Sequence, residues 1–197
     1  MLDTLIEDAS FVCMDTETTG LSPAGDGRIC EIAVLASRGG KRLSTFSTLI
    51  NPQIPIAPDV TKIHGITNDM VASSPVFEAV APQLLSMMEG GILVFHNADF
   101  DMAFLEAEFA SIGLKMPPCI ILDTLKFARR HGSFTRNRLG IIAQELGIGS
   151  EGWHRAMADT VMTEKIFYYF LSKFKKQGAK TIGDLCALQT KKTNEVK

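Results

Sequence analysis

The feature that most constrains this chain is a pair of carboxylates, Asp15 and Glu17, placed directly after the apolar run at residues 11–14. Such a run predicts a buried strand, and because side chains alternate along a strand, both acids should project to the same side. Two anions this close repel each other unless a cation lies between them. Hard divalent cations such as Mg²⁺ and Mn²⁺ prefer oxygen ligands. The pair therefore predicts a metal site at the end of a strand.

Hydrophobic patterning predicts the elements around this pair. Apolar runs and alternation favour strands at residues 11–16, 29–37, 42–50, 92–95 and 120–122. Helical periodicity favours helices at residues 76–88, 99–112, 123–131, 137–146 and 155–172. Three prolines between residues 52 and 58 predict an extended connection. Because three strands precede the strand–helix repeats, we expect an α/β fold with a mixed five-stranded sheet and helices on both faces.

Composition indicates one domain without a membrane span. The chain has 197 residues, 46% of them hydrophobic, which suffices for one well-filled core. We expect a single domain over residues 1–175 and a basic C-terminal tail at 176–197 with partial disorder, in which residues 181–188 are the ordered piece. No apolar stretch approaches the roughly 20 residues that a membrane-spanning helix needs, and the N-terminal residues lack an export signal. With scattered, unpaired cysteines, the expected location is the cytoplasm.

The net charge of −2 hides two basic regions. Between Leu171 and Lys197 there are seven lysines and only two acids. A second basic cluster occupies a segment without any acid between positions 124 and 144, and consists of Lys126, Arg129, Arg130, Arg136 and Arg138. Such clusters can follow a phosphate backbone, although a basic run is usually a solvated surface. Charge alone therefore leaves nucleic-acid binding open.

Further acids and a histidine lie where packing alone would not place them. Asp101 falls in the first turn of the helix after strand 92–95, near the strand's carboxyl end, where sites form in α/β sheets. The alternative is that Asp99 or Asp101 only caps that helix. Asp159 shares a helical face with apolar residues, so its carboxylate needs a cation or a donor. Five helical residues turn the chain by about 500°, so His154 is expected on the loop before this helix.

Together these segments resemble the three motifs of the DEDDh group of DnaQ-like 3′–5′ exonucleases. The motifs are Asp15-Thr16-Glu17, the stretch from Asn97 to Asp101, and His154 followed by Asp159. This family includes the proofreading epsilon subunit of bacterial DNA polymerase III and ribonuclease T. The resemblance covers residues 10–170 and implies the ribonuclease-H-like fold, in agreement with the predicted order of strands and helices.

The resemblance implies a catalytic set. The residues matching the family's ligands, Asp15, Glu17, Asp101 and Asp159, would hold two Mg²⁺ or Mn²⁺ ions around the terminal phosphodiester. Such a pair of ions stabilises the attacking and leaving oxygens. His154 would act as the general base on the attacking water, a role that the near-neutral pKa of histidine permits.

The resemblance also implies a substrate, namely nucleic acid with a free 3′ end, with single-stranded DNA favoured over RNA. Thr18, Thr19 and Gly20 follow the first motif, where the family approaches the terminal nucleotide. His64 matches a family histidine near the same nucleotide, and Asn97 lies beside the second motif. The alternative for these five residues is that they form or brace ordinary turns and loops.

Single residues distinguish this chain from related classes of protein with other functions. Haloacid-dehalogenase-type phosphatases carry Asp-x-Asp, whereas this chain has Glu17 at the second acid. The sibling exonuclease group has Tyr four residues before the last acid, where this chain has Arg155. A non-catalytic nucleic-acid-binding or polymerase-binding module would have lost a catalytic position, and none is lost. An RNA 3′-end trimming exonuclease or oligoribonuclease, association with a DNA polymerase, and the oligomeric state stay open.

Overall fold

The structure is a computed structural model that describes residues 1–25, 27–149 and 154–190. Its strands are β1 Ser10–Thr18, β2 Ile29–Arg38, β3 Lys41–Leu49, β4 Ile92–Phe95 and β5 Ile121–Asp123. Its helices are α1 Pro58–His64, α2 Asn68–Val71, α3 Phe77–Met88, α4 Ala98–Ser111, α5 Thr124–His131, α6 Leu139–Glu145, α7 Ala156–Lys176 and α8 Ile182–Thr190. The predicted strands and longer helices are confirmed.

The described strands form one mixed sheet in the order β3-β2-β1-β4-β5. β2 is antiparallel to both β1 and β3, and β4 is parallel to both β1 and β5. The carboxyl ends of β1, β4 and β5 therefore lie at one edge of the sheet, which is where ligand sites form in α/β folds. Helices α4 and α5 begin directly after β4 and β5 at that edge.

The side chains of β1 alternate between two cores. Phe11 and Cys13 lie in the core formed with α5, α6, α7 and α8. Val12 and Met14 lie in the core formed with α3 and α4. This confirms the prediction of helices on both faces. Because the alternation continues along the strand, residues 15 and 17 face α7, whereas residue 16 faces α4.

The proline segment holds more helix than the extended connection predicted from the sequence. Pro58 is the first residue of α1, where its missing N–H costs nothing because the first helical N–H groups have no intrahelical partner. α1 ends at Gly65, which takes the left-handed conformation (φ 75°) and donates its N–H to the carbonyl of Thr61. The prolines thus delimit and start a helix as well as extending the chain.

The C-terminal segment contains an ordered helix after α7. α7 runs to Lys176, and α8 falls on the part of segment 176–197 that the sequence predicts to be ordered. Ile182 and Leu185 of α8 are buried in the core around α7, and the Gln189 side chain donates to the carbonyl of Ile121 at 3.0 Å. α8 therefore packs on the core, because its apolar residues are buried there. The rest of the expected tail, 191–197, lies outside the described residues. No helix among the described residues is long and apolar enough to cross a membrane.

Candidate active site

Three carboxylates meet where β1 ends against α7. Asp15 and Glu17 both face α7, in agreement with their predicted projection, and Asp159 lies in the first turn of that helix. One carboxylate oxygen from each residue lies within 4.8 Å of the other two. Asp159 is 7% exposed, whereas Asp15 and Glu17 are half-buried. The packing of α7 on the sheet therefore brings together acids that are more than 140 positions apart in the chain.

Asp101, the fourth predicted acid, approaches from the other face of β1. Its Oδ1 accepts hydrogen bonds from the backbone N–H of Thr16 at 3.0 Å and from the Thr16 hydroxyl at 2.8 Å. Thr16 projects toward α4, so the strand alternation that turns Asp15 and Glu17 to α7 turns the residue between them to Asp101. The Asp101 charge still acts on Asp15, since it is the largest single charge effect on the pKa of Asp15.

Burial raises the pKa of all four carboxyls, and the charges of neighbouring acids add to the shift. Burial raises the pKa of Asp15 well above its ordinary value, and the charges of Asp101, Asp159 and Glu17 add to the effect. Burial is also the main reason why the pKa of Glu17 rises to about 8 and that of Asp101 to about 7. The pKa of Asp159 rises to about 7, although the hydrogen bond from the His154 backbone opposes the shift. The site thus resists holding four negative charges by itself.

The donor set fits a hard divalent cation. Asp159 Oδ1 is buried and has no hydrogen-bond partner among the described residues. An unpaired buried carboxylate oxygen is costly, and a cation removes that cost. The clustered donors are all carboxylate oxygens, which suit Mg²⁺ or Mn²⁺ better than zinc or copper. A bound cation would also lower the raised pKa values, because it favours the ionised carboxylates.

His154 lies on the loop before α7, as predicted from the helical turn angle. Its backbone has φ 64°, a left-handed conformation that is uncommon outside glycine, and its N–H donates to the Asp159 carboxylate. The side chain is exposed and lines the same cleft as Asp15 and Asp159. The histidine side chain therefore opens into the same cleft as two of the clustered carboxylates.

Behind this loop lies an ion pair that the sequence analysis missed. The buried carboxylate of Glu31 accepts hydrogen bonds from Arg155 Nη2 at 2.7 Å and from the backbone N–H of Ala156 at 2.9 Å. Glu31 sits opposite Glu17 in the β1–β2 register, and the Arg155 charge lowers the pKa of Glu17. Glu31 thus fixes the first residue of α7 next to His154. In the sequence, Arg155 distinguishes this chain only from the exonuclease group that has tyrosine there. The signal for the ion pair is Glu31 itself, an acid within the apolar run of β2 that needs a partner when buried.

Asp123 is a second residue that the sequence analysis missed. This buried residue ends β5, and its carboxylate accepts hydrogen bonds from the backbone N–H groups of Asn97 at 3.0 Å, Ala98 at 3.3 Å and Leu125 at 2.8 Å. It therefore caps the starts of both α4 and α5, which positions the segment that carries Asp101. Asp99, considered as the cap of α4, is instead exposed and pairs with Lys126 at 3.2 Å.

The predicted substrate-binding residues fall into two groups. Asn97 is exposed, takes a left-handed conformation (φ 77°) and lines the cleft with Asp15. Thr18 and Gly20 form a turn in which the Thr18 hydroxyl donates to the Gly20 carbonyl at 2.7 Å, and Thr19 Oγ1 accepts from the backbone of Arg28 at 2.9 Å.

His64 belongs with the turn rather than with the open cleft. It is 4% exposed, its Nδ1 accepts from the backbone N–H of Ile66 at 3.0 Å, and its ring also hydrogen bonds to the backbone of Thr18. Burial lowers the pKa of His64. Its observed contacts therefore brace the turn after the first motif.

The carboxylates open into a cleft of about 960 Å³. The cleft is lined by side chains from β1, the start of α4, the end of α5, the following loop and the start of α7; they include Asp15, His96, Asn97, Arg129, Arg136, Asn137, Arg138, His154 and Asp159. The lining thus combines carboxylates from β1 and α7 with arginines from α5 and the loop after it. The arginines suit an anionic ligand that extends beyond the carboxylates.

Comparisons with known proteins agree with this geometry. The family model RNase_T, described as an exonuclease, matches residues 12–167. A DNA polymerase III PolC-type protein of Caldanaerobacter subterraneus subsp. tengcongensis is 35% identical over 191 residues, covering 96% of this chain and 14% of that protein. The 3′-5′ exonuclease DinG of Bacillus subtilis is 34% identical over 176 residues, covering 89% of this chain and 19% of that protein. The chain thus spans less than a fifth of the length of these two relatives.

Among solved structures, that of Exonuclease X in complex with 5′ overhanging duplex DNA matches with a TM-score of 0.71 and 27% sequence identity. The match covers 91% of this chain and 99% of that one. The fold of the chain is therefore that of a nuclease of nearly the same size.

Proposed function

The chain belongs to the exonuclease family described by the RNase_T model, and on that premise we propose that it is a metal-dependent 3′–5′ exonuclease acting on single-stranded DNA. The observation that carries the proposal is the cluster of Asp15, Glu17 and Asp159, two of whose members, Asp15 and Asp159, line one cleft with His154. A non-catalytic module on this fold would have no reason to keep four carboxylates at raised pKa beside an exposed histidine.

Divalent ions bound by Asp15, Glu17, Asp101 and Asp159 would supply charge stabilisation for the attacking and leaving oxygens of the phosphodiester. We infer two ions per site, because four carboxylates from two faces of β1 exceed what one Mg²⁺ usually takes from protein. The hydrogen bonds from Thr16 hold Asp101 in one orientation toward this site. Removing the ions should therefore leave the protein folded and inactive.

His154 would take the proton from the attacking water as the phosphodiester is cut. Its backbone is tied to Asp159, and the next residue, Arg155, is tied to Glu31, so the loop is anchored on its C-terminal side. The imidazole itself is exposed in the cleft and can reach a water beside the carboxylates. A base held this way contributes roughly 10² to 10⁴ fold to turnover.

The direction and substrate rest on the relatives and on the cleft. DinG is described as a 3′-5′ exonuclease, and the other two comparisons name a DNA polymerase and a DNA complex. In the proposed complex Asn97 contacts the terminal nucleotide from the cleft wall. Thr18, Thr19 and Gly20 approach it through their turn, and His64 supports that turn from behind. The PolC-type relative also suggests association with a DNA polymerase, which copurification would test.

A time course on 5′-labelled strands tests the proposal. Single-stranded DNA and RNA of the same sequence are incubated with Mg²⁺, Mn²⁺ or EDTA, using wild type beside Asp15→Ala. A matched control is Asp59→Ala, which removes an exposed acid paired with Lys62, outside the site. We expect a ladder that shortens from the 3′ end with wild type and the control, and none with EDTA or Asp15→Ala.

The outcomes separate the alternatives. Faster shortening of RNA than of DNA would make the protein an RNA-trimming exonuclease. Activity that persists in Asp15→Ala or in EDTA would contradict the metal assignment. Binding of DNA without any cleavage by wild type would favour the non-catalytic module.

A further inference from the structure

The arginines of this chain differ in whether an acid neutralises them. Arginines outside residues 129–138 each form an ion pair, in the pairs Arg28–Glu108, Arg38–Asp8, Arg42–Glu164 and Arg155–Glu31. Within residues 1–25, 27–149 and 154–190, by contrast, Arg129, Arg136 and Arg138 form no ion pair. These three, called the arginine cluster below, are exposed. Their charges are therefore available to an external anion.

The arginine cluster lines the cleft that holds the carboxylates. Its members come from the end of α5 and the loop before α6, whereas Asp15 and Asp159 come from β1 and α7. The two groups thus form different parts of one cleft. Its volume of about 960 Å³ is at the upper end of the roughly 300 to 1,000 Å³ usual for ligand sites. A ligand at the carboxylates therefore leaves room along the arginines.

The loop that carries two of these arginines is held in place. The carbonyl of Asn137 accepts a hydrogen bond from His96 Nε2 at 3.0 Å, and His96 follows β4. The backbone N–H of Thr135 donates to Glu145 Oε1 at 3.1 Å, so that acid is engaged with the loop rather than with an arginine. A loop fixed on both sides of Arg136 loses little entropy when it binds an anion.

We propose that the arginine cluster binds backbone phosphates of the cut strand upstream of its terminal nucleotide. The inference rests on the proposed exonuclease function and specifies its substrate as a strand of several nucleotides. Guanidinium groups match phosphate oxygens with two parallel hydrogen bonds, and such contacts carry no base preference. They also offset the repulsion between a polyanion and the acids that line the same cleft.

The proposal predicts a dependence on strand length and on salt. Each phosphate contact to a single strand steepens the salt dependence of binding by about 0.7 in log K against log salt. The double variant Arg136→Gln/Arg138→Gln should therefore have a slope shallower than wild type by about 1.4 on a strand of about twelve nucleotides. Its KM for that strand should rise at least about tenfold at moderate salt, while kcat stays near wild type. A dinucleotide has no phosphate upstream of the one that is cut, so its KM for the double variant should match wild type.

Two further variants control for charge and folding. Arg38→Gln removes one positive charge at the opposite edge of the sheet, where β1 begins and where Arg38 is 51% exposed beside Asp8. We expect it to behave like wild type. Arg136→Lys/Arg138→Lys keeps both charges and should restore most of the salt slope. Thermal unfolding of each variant checks that the loss is one of binding.

Binding measurements keep this proposal separate from the exonuclease proposal. Fluorescence anisotropy in the Asp15→Ala background reports strand binding and its salt slope without turnover. If wild type cuts nothing, the exonuclease proposal fails while the slope still tests the cluster. Equal slopes for Arg136→Gln/Arg138→Gln and Arg38→Gln would overturn the phosphate assignment. An equal KM increase on the dinucleotide and on the longer strand would also overturn it, because the arginines would then contact the terminal nucleotide.

Discussion

Replacing Asp159 with Asn should stabilise the metal-free protein, and more so as the pH rises. Burial raises the pKa of Asp159 from an ordinary 3.8 to about 7. Between those two pH values the folded state holds a proton that the unfolded state has released, so the free energy of unfolding of wild type falls as the pH rises. Asn keeps an oxygen that can accept the hydrogen bond from the His154 backbone, and it removes the titration.

The size of the effect follows from the same two values. Each pH unit in this window changes the free energy of unfolding by about 1.4 kcal/mol per group. From pH 4 to pH 7 the gap between Asp159→Asn and wild type should widen by at most about 4 kcal/mol, and it should stay constant above that. This is an upper bound, because water and local relaxation raise the effective dielectric constant. It is still a large part of the roughly 5 to 15 kcal/mol that stabilises a typical domain.

Urea unfolding in EDTA, followed by circular dichroism at steps from pH 4 to pH 8, measures this gap. Asp59→Asn serves as the control, because Asp59 is an exposed acid beside Lys62. Its free energy of unfolding should change with pH as that of wild type does. Saturating Mg²⁺ should stabilise wild type by about 2.7 kcal/mol at a hundredfold excess over Kd, and Asp159→Asn by less. A gap that does not change with pH, or an equal gap for Asp59→Asn, would refute the electrostatic reasoning.

Three further predictions concern the residues around the carboxylates. His154→Ala should slow turnover by roughly 10² to 10⁴ fold while Mn²⁺ affinity, measured by calorimetry, stays near wild type; lost affinity would make His154 a ligand instead. Arg155→Ala should lower the free energy of unfolding by about 1 to 3 kcal/mol in urea titrations, because the buried Glu31 loses its charged donor; an unchanged midpoint would contradict this. Thr16→Val removes the 2.8 Å hydrogen bond to Asp101, so Mg²⁺ affinity should fall by roughly 10 to 100 fold, with unaltered affinity as the contrary result.

The local spacing in the sequence was enough to predict much of the fold and part of the site. An apolar run predicted β1, and the alternation along it predicted that Asp15 and Glu17 share a side. The helical turn angle predicted that His154 precedes α7. Each of these inferences depends on residues a few positions apart, where backbone geometry limits the possible arrangements.

Only the tertiary structure determined which distant residues contact Asp15, Glu17 and Thr16. The packing of α7 on one face of β1 selects Asp159 as the partner of Asp15 and Glu17, while the packing of α4 on the other face gives Asp101 to Thr16. The pairing of Glu31 with Arg155, the capping of two helices by Asp123 and the docking of α8 depend likewise on contacts distant in sequence.

The arginine cluster illustrates most clearly the difference between what the sequence predicts and what the tertiary structure determines. The sequence contains a basic run between positions 124 and 144. The run alone does not show which way its side chains point, and most such runs are solvated surface. The hydrogen bond from His96 to Asn137 ties this loop to the end of β4, beside the strand that carries Asp15. Local chemistry therefore determined which residues could act here. The strand order and the helix packing determined which of them share a cleft, because those contacts form only when distant segments fold together.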